Sequence, residues 1–265
     1  MAQACISAGV HYLDITGEID VFESLARLSK ATAPEVMLMP GTGFDVVPSD
    51  CLAAHLKRKL PDATSLTLAF QAGDKPSHGT ATTMVENLHR GGMIRRNGEL
   101  TPVPSAWKTR HIDFGSGPTP SVSIPWGDVA TAWVSTGIAD IEVFMSAPAH
   151  LRLTFAASRY LGGIMATGLM QKLLKKQIDK APAGPNAKAR SEGRSRLWGQ
   201  VRNAQGQVAT ARLETIEAYA LTALTAWDIA KRTVKGEWKP GFQTPSMVFG
   251  ADYILNFPTT TRTDL

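Results

Sequence analysis

Glycine and polar residues follow two short apolar segments near the start of the sequence, at residues 11–15 and 36–39. We interpret both segments as strands of one parallel sheet, and ligands of such sheets bind outside the carboxyl ends of the strands. The loops that leave these strands are therefore the candidate ligand-binding site. The candidate ligand-binding residues in them are Thr16, Gly17, Glu18, Gly41, Gly43, Phe44 and Asp45.

A structural role for the acidic residues of these loops is an open alternative. Asp14 and Asp45 are short carboxylates that can tie turns or cap helices through backbone N–H groups. The segment from Asp45 to Asp50 reads D-x-x-P-S-D, a pattern typical of the start of a helix. Both interpretations remain open at this point.

The histidines and cysteines of the chain show no metal-ligand spacing. The six histidines are scattered, and Cys5 and Cys51 form no C-x-x-C pair. The sequence contains no P-loop, H-E-x-x-H or G-x-S-x-G motif. We therefore predict neither a metal site nor a nucleophilic triad, and no catalytic acid or base can be named from the sequence.

Composition places this chain of 265 residues among ordinary globular proteins, with 43% hydrophobic residues and a formal charge of +5. No nucleic-acid motif accompanies the basic clusters, so we interpret them as solvated helix faces. No stretch reaches the about 18 apolar residues of a membrane span, and the first residues do not resemble a signal peptide. We expect a cytoplasmic protein with no nucleic-acid partner and no membrane span.

The first 60 residues alternate between short apolar segments and segments in which apolar residues recur at helical spacing. Residues 20–31 and 48–60 are the predicted helices, and the strands precede them. Strands and helices in alternation with short links predict an α/β fold with a parallel sheet.

The pattern changes near Pro61. Residues 65–71 alternate in polarity, and residues 198–203 and 208–215 flank a turn, which predicts a β-hairpin. Residues 181–193 are rich in proline and glycine and predict a loop. This second region is therefore predicted to be mixed α+β with an antiparallel sheet.

Five short motifs occur in one order along nearly the whole chain: ACISAGVHYLDITGE at residues 4–18, GTGFDVVPSD at 41–50, SHGT at 77–80, PWGD at 125–128 and GFQTPS at 241–246. Together they resemble the saccharopine-dehydrogenase-like family of oxidoreductases. The resemblance implies a Rossmann-like part that binds NAD or NADP, with the two loops named above at the nicotinamide end of the cofactor. It also implies that His78 and Thr80 line the substrate cleft.

One feature departs from the family pattern. The family begins with a strand and a G-x-G-x-x-G/A turn that binds the cofactor's pyrophosphate, and about a hundred residues of this kind are expected before Ala4. No such turn occurs in the sequence. We therefore expect a partial Rossmann-like sheet, either in a short protein or in a fragment of a longer one.

The predicted organisation has three parts. Residues 1–60 form the remnant of the nucleotide-binding domain, and residues 61–235 form the α+β domain for substrate binding or dimerisation. Residues 236–265 pack back on the Rossmann-like part. Two functions remain open: an NAD(P)-dependent oxidoreductase acting on a small molecule, expected to be a homodimer, and a non-catalytic module for binding or dimerisation.

Overall fold

The computed structural model describes residues 1–72, 77–87, 91–149, 151–155, 158, 167–180 and 184–265. The helices within these ranges are α1 (Ala2–Ala8), α2 (Ile19–Thr32), α3 (Val47–Lys59), α4 (His78–Asn87), α5 (Asp128–Thr136), α6 (Gly168–Lys180), α7 (Ala187–Glu192), α8 (Ala218–Val234), α9 (Pro245–Phe249) and a 3₁₀ helix (Tyr253–Asn256). The strands are β1 (Tyr12–Leu13), β2 (Met37–Met39), β3 (Ser65–Gln71), β4 (Gly92–Arg96), β5 (Glu99–Val103), β6 (Thr109–Asp113), β7 (Pro118–Ser123), β8 (Asp140–Ser146), β9 (Arg194–Arg202), β10 (Val208–Ile216), β11 (Gly241–Phe242) and β12 (Thr261–Asp264).

A small parallel sheet has the strand order β1-β2-β11. Leu38 at its centre lies opposite Tyr12 on one side and Phe242 on the other, and both pairs are parallel. All three residues of β2 are fully buried. The uninterrupted apolar run of β2 thus reflects a strand that is covered on both faces.

A larger sheet has the order β12-β10-β9-β3-β8-β4-β5, and the β6–β7 hairpin joins it through β8. Its pairs are antiparallel except β3 with β8. Asn97 and Gly98, between β4 and β5, have φ angles of 51° and 81°. A two-residue turn with positive φ at both positions matches the twist of the strands that it joins.

The predicted fold class is confirmed: the chain is an α/β protein with a parallel sheet followed by a mixed sheet that is mostly antiparallel. One prediction was wrong in part, because residues 187–192 of the predicted loop form α7. The Asn186 side chain caps this helix by accepting a hydrogen bond from the Ala189 N–H at 2.8 Å. Residues 181–183 of the same predicted loop lie outside the described part of the chain.

Helix α3 packs on the larger sheet, although it follows a strand of the small one. Leu52 and Leu56 lie over Gly199 of β9, where a Cβ atom would come within 2.6 Å of the Leu56 side chain. Both leucines are fully buried. Glycine in β9 therefore lets the helix approach the strand closely.

The C-terminal segment contributes a strand to each sheet, because β11 pairs with β2 and β12 pairs with β10. The Ser246 N–H also donates a hydrogen bond to the buried carboxyl group of Asp50, at 2.7 Å. The division into parts at residues 60 and 235 stays a prediction. No helix in the described ranges is long and apolar enough to cross a bilayer.

Candidate functional site

Asp14 ties together the loops that leave β1 and β2. Its Oδ1 accepts hydrogen bonds from the N–H groups of Thr16 at 2.9 Å and Gly41 at 3.1 Å. Its backbone carbonyl accepts from both the N–H and the hydroxyl of Thr42, each at 2.8 Å. Asp14 thus organises the turn, as short carboxylates do when they accept from nearby backbone N–H groups.

The same carboxyl group accepts the hydroxyl of Tyr12 at 2.5 Å. Burial and this hydrogen bond raise the pKa of Tyr12 to about 12. Tyr12 therefore stays protonated as the donor to Asp14 at neutral pH.

Two glycines let the loop after β2 turn tightly into α3. Gly41 has a φ of 74°, and a Cβ there would lie 2.5 Å from the Val46 side chain. A Cβ at Gly43 would lie 2.7 Å from the methyl carbon of Thr222. The Phe44 N–H donates to the Thr222 hydroxyl at 3.0 Å, so α8 holds this loop in place.

Asp45 does not cap α3, contrary to one interpretation of the sequence. The N-cap residue of α3 is Val46, and no side chain accepts a hydrogen bond there. None of the residues that the structure describes donates a hydrogen bond to the Asp45 carboxylate, and burial raises its pKa to about 6. The Asp45 side chain instead faces Gly17, where a Cβ atom would lie 2.5 Å from Oδ2.

A set of aromatic rings adjoins the backbone of Asp45. The indole N–H of Trp126 donates to the Asp45 carbonyl oxygen at 3.1 Å. The Trp126 ring contacts Phe70 at 4.7 Å between centroids, and Phe70 contacts Phe44 at 6.1 Å. A carboxylate beside apolar rings is harder to ionise, which explains the direction of the pKa shift.

Thr16 and Glu18 border the same edge from the first loop. The Thr16 hydroxyl accepts the Glu18 N–H at 3.3 Å, and Glu18 is the N-cap residue of α2 without a side-chain capping bond. Glu18 is exposed and Gly17 half-buried. The carbonyl oxygen of Gly17 lies so close to Gly127 that a Cβ there would be 3.0 Å away. We call Gly17, the loop from Gly41 to Asp45, and Trp126 the carboxyl-edge site.

Two further aspartates lie behind this site and are almost completely buried. Asp50 accepts the Ser246 N–H, and Asp128 Oδ1 lies 2.7 Å from the Ser49 hydroxyl. Burial raises the pKa of Asp50 and holds the pKa of Asp128 well above its usual range. The nearby charges of Asp50 and Asp45 push the Asp128 pKa further up. Asp128 is therefore harder to ionise than an exposed aspartate.

His78 and Thr80, the predicted substrate residues, lie in the first turn of α4. The Thr80 hydroxyl lies 3.0 Å from the Ser77 hydroxyl and 3.2 Å from the Tyr219 hydroxyl of α8. Tyr219 and Thr222 are three residues apart and lie on one face of α8. This helix therefore contacts both the start of α4 and the carboxyl-edge site.

Tyr219 and Thr222 were not among the residues predicted from sequence. Both lie in a helical segment with apolar neighbours, where neither residue type signals a site. The hydrogen bond from Trp126 to the Asp45 carbonyl oxygen was not predicted either. Within the described ranges, no group of three or more His, Cys, Asp or Glu residues is placed to hold a metal ion.

The comparison with known proteins identifies a fold. No protein-family model matches the chain, and no curated protein sequence matches it. The apo form of histidine-tagged saccharopine dehydrogenase (L-Glu forming) from Saccharomyces cerevisiae is similar in structure, with a TM-score of 0.56 and 8% sequence identity. The match covers 100% of this chain and 81% of the yeast chain.

This likeness defines the class of protein as an α/β protein with a fold like that of saccharopine dehydrogenase. An identity of 8% supports the shared fold alone. What the chain binds has to be argued from its own residues.

Proposed function

We propose that this chain is an NAD(P)-dependent oxidoreductase acting on a small molecule, with the nicotinamide bound at the carboxyl-edge site. The observation that carries this proposal is the Asp45 carboxylate, which faces Gly17 beside the ends of parallel strands without a hydrogen-bond donor among the described residues. Ligands of parallel sheets bind at this edge. The saccharopine-dehydrogenase-like fold supports a dinucleotide over other ligands.

The residues present fit the nicotinamide end of such a cofactor. Gly17 has no side chain, and the Asp45 carboxylate occupies the space that a Cβ would fill, with Oδ2 at 2.5 Å from the Cβ position. The sequence contains no G-x-G-x-x-G turn for the pyrophosphate, so no residue is assigned to that end. The fit therefore concerns one end of the cofactor only.

The chain's own residues would orient the ring and control the charge beside it. A bound nicotinamide accepts or donates a hydride, while the protein supplies position and electrostatics. Asp45 carries a negative charge above a pH of about 6, and Phe44, Phe70 and Trp126 exclude water behind it. We propose that the substrate lies between this site and the start of α4, where His78 and Thr80 are found.

Calorimetric titration of the folded chain with NADPH and then NADH tests this proposal. We expect saturable heat with a dissociation constant in the micromolar range. A Gly17→Ala variant should bind both nucleotides more weakly, because the added methyl group and the displaced Asp45 side chain would crowd the proposed position of the nicotinamide ring. A well-folded sample that gives no heat with either nucleotide would overturn the proposal.

A non-catalytic module for binding or dimerisation is the second candidate function. The observation that favours it is the outer side of β1, which pairs with no other strand in the described part of the chain. Val10 and Ile15 beside this strand are 50% and 58% exposed. Unpaired strand edges with exposed apolar residues are sites where another chain can add.

Analytical ultracentrifugation separates the two candidates when it is combined with the titration. A dimer that binds no nucleotide supports the module, whereas nucleotide binding supports the oxidoreductase in either oligomeric state. A Val10→Asp, Ile15→Asp double variant should convert a dimer built on this edge into a monomer. An unchanged dimer would exclude the β1 edge as its interface.

A further inference from the structure

Asp45 is a carboxylate with no partner for its charge among the described residues. Helix α3 receives no side-chain cap, so Asp45 is not engaged there. No described Arg, Lys or His forms an ion pair with it, and burial is the cause that shifts its pKa. Its carbonyl oxygen, by contrast, is fixed by Trp126. The backbone is thus held in place while the carboxylate is left available.

Leaving a half-buried carboxylate without a donor costs free energy, because the desolvation is not repaid by a hydrogen bond. Asp14, one loop away, shows the alternative, since it accepts several hydrogen bonds and ties two turns. A carboxylate in Asp45's position is stabilised when a positive charge binds beside it.

The other acidic groups around Asp45 come from each element packed against it. Asp128 on α5 and Asp50 on α3 lie behind it and are nearly fully buried, and burial raises the pKa of both. Glu18 and Asp14 lie in the neighbouring loop, where Glu18 is exposed and Asp14 is bound to backbone N–H groups. Asp45 is therefore the acidic group of this set that is partly buried and has no hydrogen-bond donor among the described residues.

We propose that the Asp45 carboxylate binds a cationic group of the ligand and that this group is the oxidised nicotinamide ring, so that the site distinguishes NADP⁺ from NADPH by charge. This inference rests on the proposed function. The oxidised ring carries a positive charge and the reduced ring is neutral, so only the oxidised form gains from a carboxylate at contact distance.

Charge recognition of this kind is linked to protonation. Protonated Asp45 has no charge to offer, so the preference for NADP⁺ is present above a pH of about 6 and is lost below it. A preference of about tenfold corresponds to a fall of about one unit in the pKa of Asp45 when NADP⁺ binds. Phosphate groups are common to the two nucleotides, so their titration cancels in the ratio of dissociation constants.

The test is the ratio of the dissociation constants of NADPH and NADP⁺, measured from pH 5 to pH 8 by fluorescence and calorimetry. In the unmodified protein, we expect the ratio to rise about tenfold in favour of NADP⁺ across the pH range, with a midpoint near 6. Asp45→Asn should make the ratio flat by removing the preference at high pH. Because the first measurement uses the unmodified protein, it does not depend on the folding of a variant.

Two control variants separate Asp45 from other acidic groups. Asp128→Asn replaces a buried acid by an uncharged amide, and Asp179→Asn removes an exposed charge from α6. Both should keep the pH dependence of the ratio. Circular dichroism and the unfolding midpoint of each variant check that it is folded.

The outcomes distinguish this inference from the proposed function. If both nucleotides bind and the ratio stays flat in the unmodified protein, the inference is wrong while the function stands. A pH-dependent ratio that survives Asp45→Asn also overturns it and assigns the effect to another group. If neither nucleotide binds a folded sample, the proposed function and this inference fail together.

Discussion

The same residue type has three different environments in this protein, at Asp45, Asp50 and Asp128. Asp45 is half-buried with a carboxylate that lacks a donor among the described residues, whereas Asp50 accepts a backbone N–H from α9. Asp128 lies against the single hydroxyl of Ser49, which is also within 3.1 Å of the Val46 carbonyl oxygen. One hydroxyl proton cannot be donated to both oxygens at once, so both contacts are satisfied together only if Asp128 itself carries a proton.

Replacing Asp128 with asparagine tests this protonation state. The pKa of Asp128 is higher in the folded protein than in the unfolded chain, so its stabilising effect is fully present below the unfolded value of about 4. That effect is lost as the pH rises towards the folded value. Relative to Asp128→Asn, the unmodified protein should therefore lose up to about 1.4 kcal/mol of unfolding free energy per pH unit above pH 4.

Urea denaturation from pH 4 to pH 9 measures this difference. Asp179→Asn, at an exposed position on α6, serves as a control whose stability curve should run parallel to that of the unmodified protein. If the stability curve of Asp128→Asn is also parallel to that of the unmodified protein, Asp128 is ionised in the folded state.

Gly17→Ala tests the close approach of the first loop to Asp45. The added methyl carbon would lie 2.5 Å from Asp45 Oδ2, and the flexible carboxylate must move away. We expect the unfolding free energy of this variant to be lower than that of the unmodified protein by about 1–3 kcal/mol. Affinity for NADP⁺ should fall about tenfold, as measured by calorimetry, because the displaced carboxylate no longer lies where it would contact the charged nicotinamide ring.

Gly168→Ala is the matched control for this variant, since no atom of the described residues lies within 4 Å of a Cβ at that position. It should leave nucleotide affinity unchanged. Equal affinities in both glycine variants would remove Gly17 from the site.

At the scale of the elements, Arg95 joins a strand, a hairpin and two helices. It is 4% exposed, and it donates Nε–H to the Val129 carbonyl of α5 at 2.6 Å and Nη1–H to the Gly98 carbonyl at 2.7 Å. Its Nη2 is paired with Glu23 of α2. The guanidinium group also lies over the Trp133 ring, 5.5 Å from its centroid.

Arg95→Ala should therefore be strongly destabilising. It leaves two carbonyl oxygens and the mostly buried Glu23 without their donor, and removal of one partner of such a pair costs about 3–5 kcal/mol. Arg58→Ala, which removes an exposed ion pair with Asp252, should cost no more than about 1 kcal/mol. Urea melts of the two variants compare these values, and similar losses would show that Arg95 does not connect the elements as described.

For the whole molecule, the packing of α3 on β9 determines how the two sheets unfold. Leu52 and Leu56 of α3 belong to the same buried cluster as Leu66 of β3 and Val201 of β9. This continuous core couples the chain before Pro61 to the larger sheet. The C-terminal segment adds to the coupling, since it supplies a strand to each sheet.

We predict that urea unfolds the chain in one cooperative transition, with coincident curves from far-ultraviolet circular dichroism and tryptophan fluorescence. The sequence-based division at residues 60 and 235 would instead allow separate transitions. Two resolved transitions would support that division and contradict the coupling through α3. Gly199→Val, which places atoms against Leu56, should lower the midpoint of a single transition.

Helices and strands were predictable where they depend on residues close together in the sequence. Gly9 ends α1 with a φ of 68°, the apolar run at residues 37–39 is a fully buried strand, and residues 65–71 form β3 as predicted. The α/β fold class followed from the alternation of such segments. The loop predicted at residues 181–193 was wrong where Asn186 caps α7, because a short capped helix leaves little periodicity in the sequence.

The strands and the two loops that leave them could be predicted from the residues alone, because spacing, turn residues and apolar runs act over a few neighbours. Tertiary packing settled that the Asp14 carboxylate joins the two loops and that Asp45 does not cap α3. It also placed Thr222, 178 positions from Phe44, and Trp126, 81 positions from Asp45, against the second loop. Those contacts depend on how α8 and the segment before α5 pack, and packing between distant segments leaves no pattern in the order of residues along the chain.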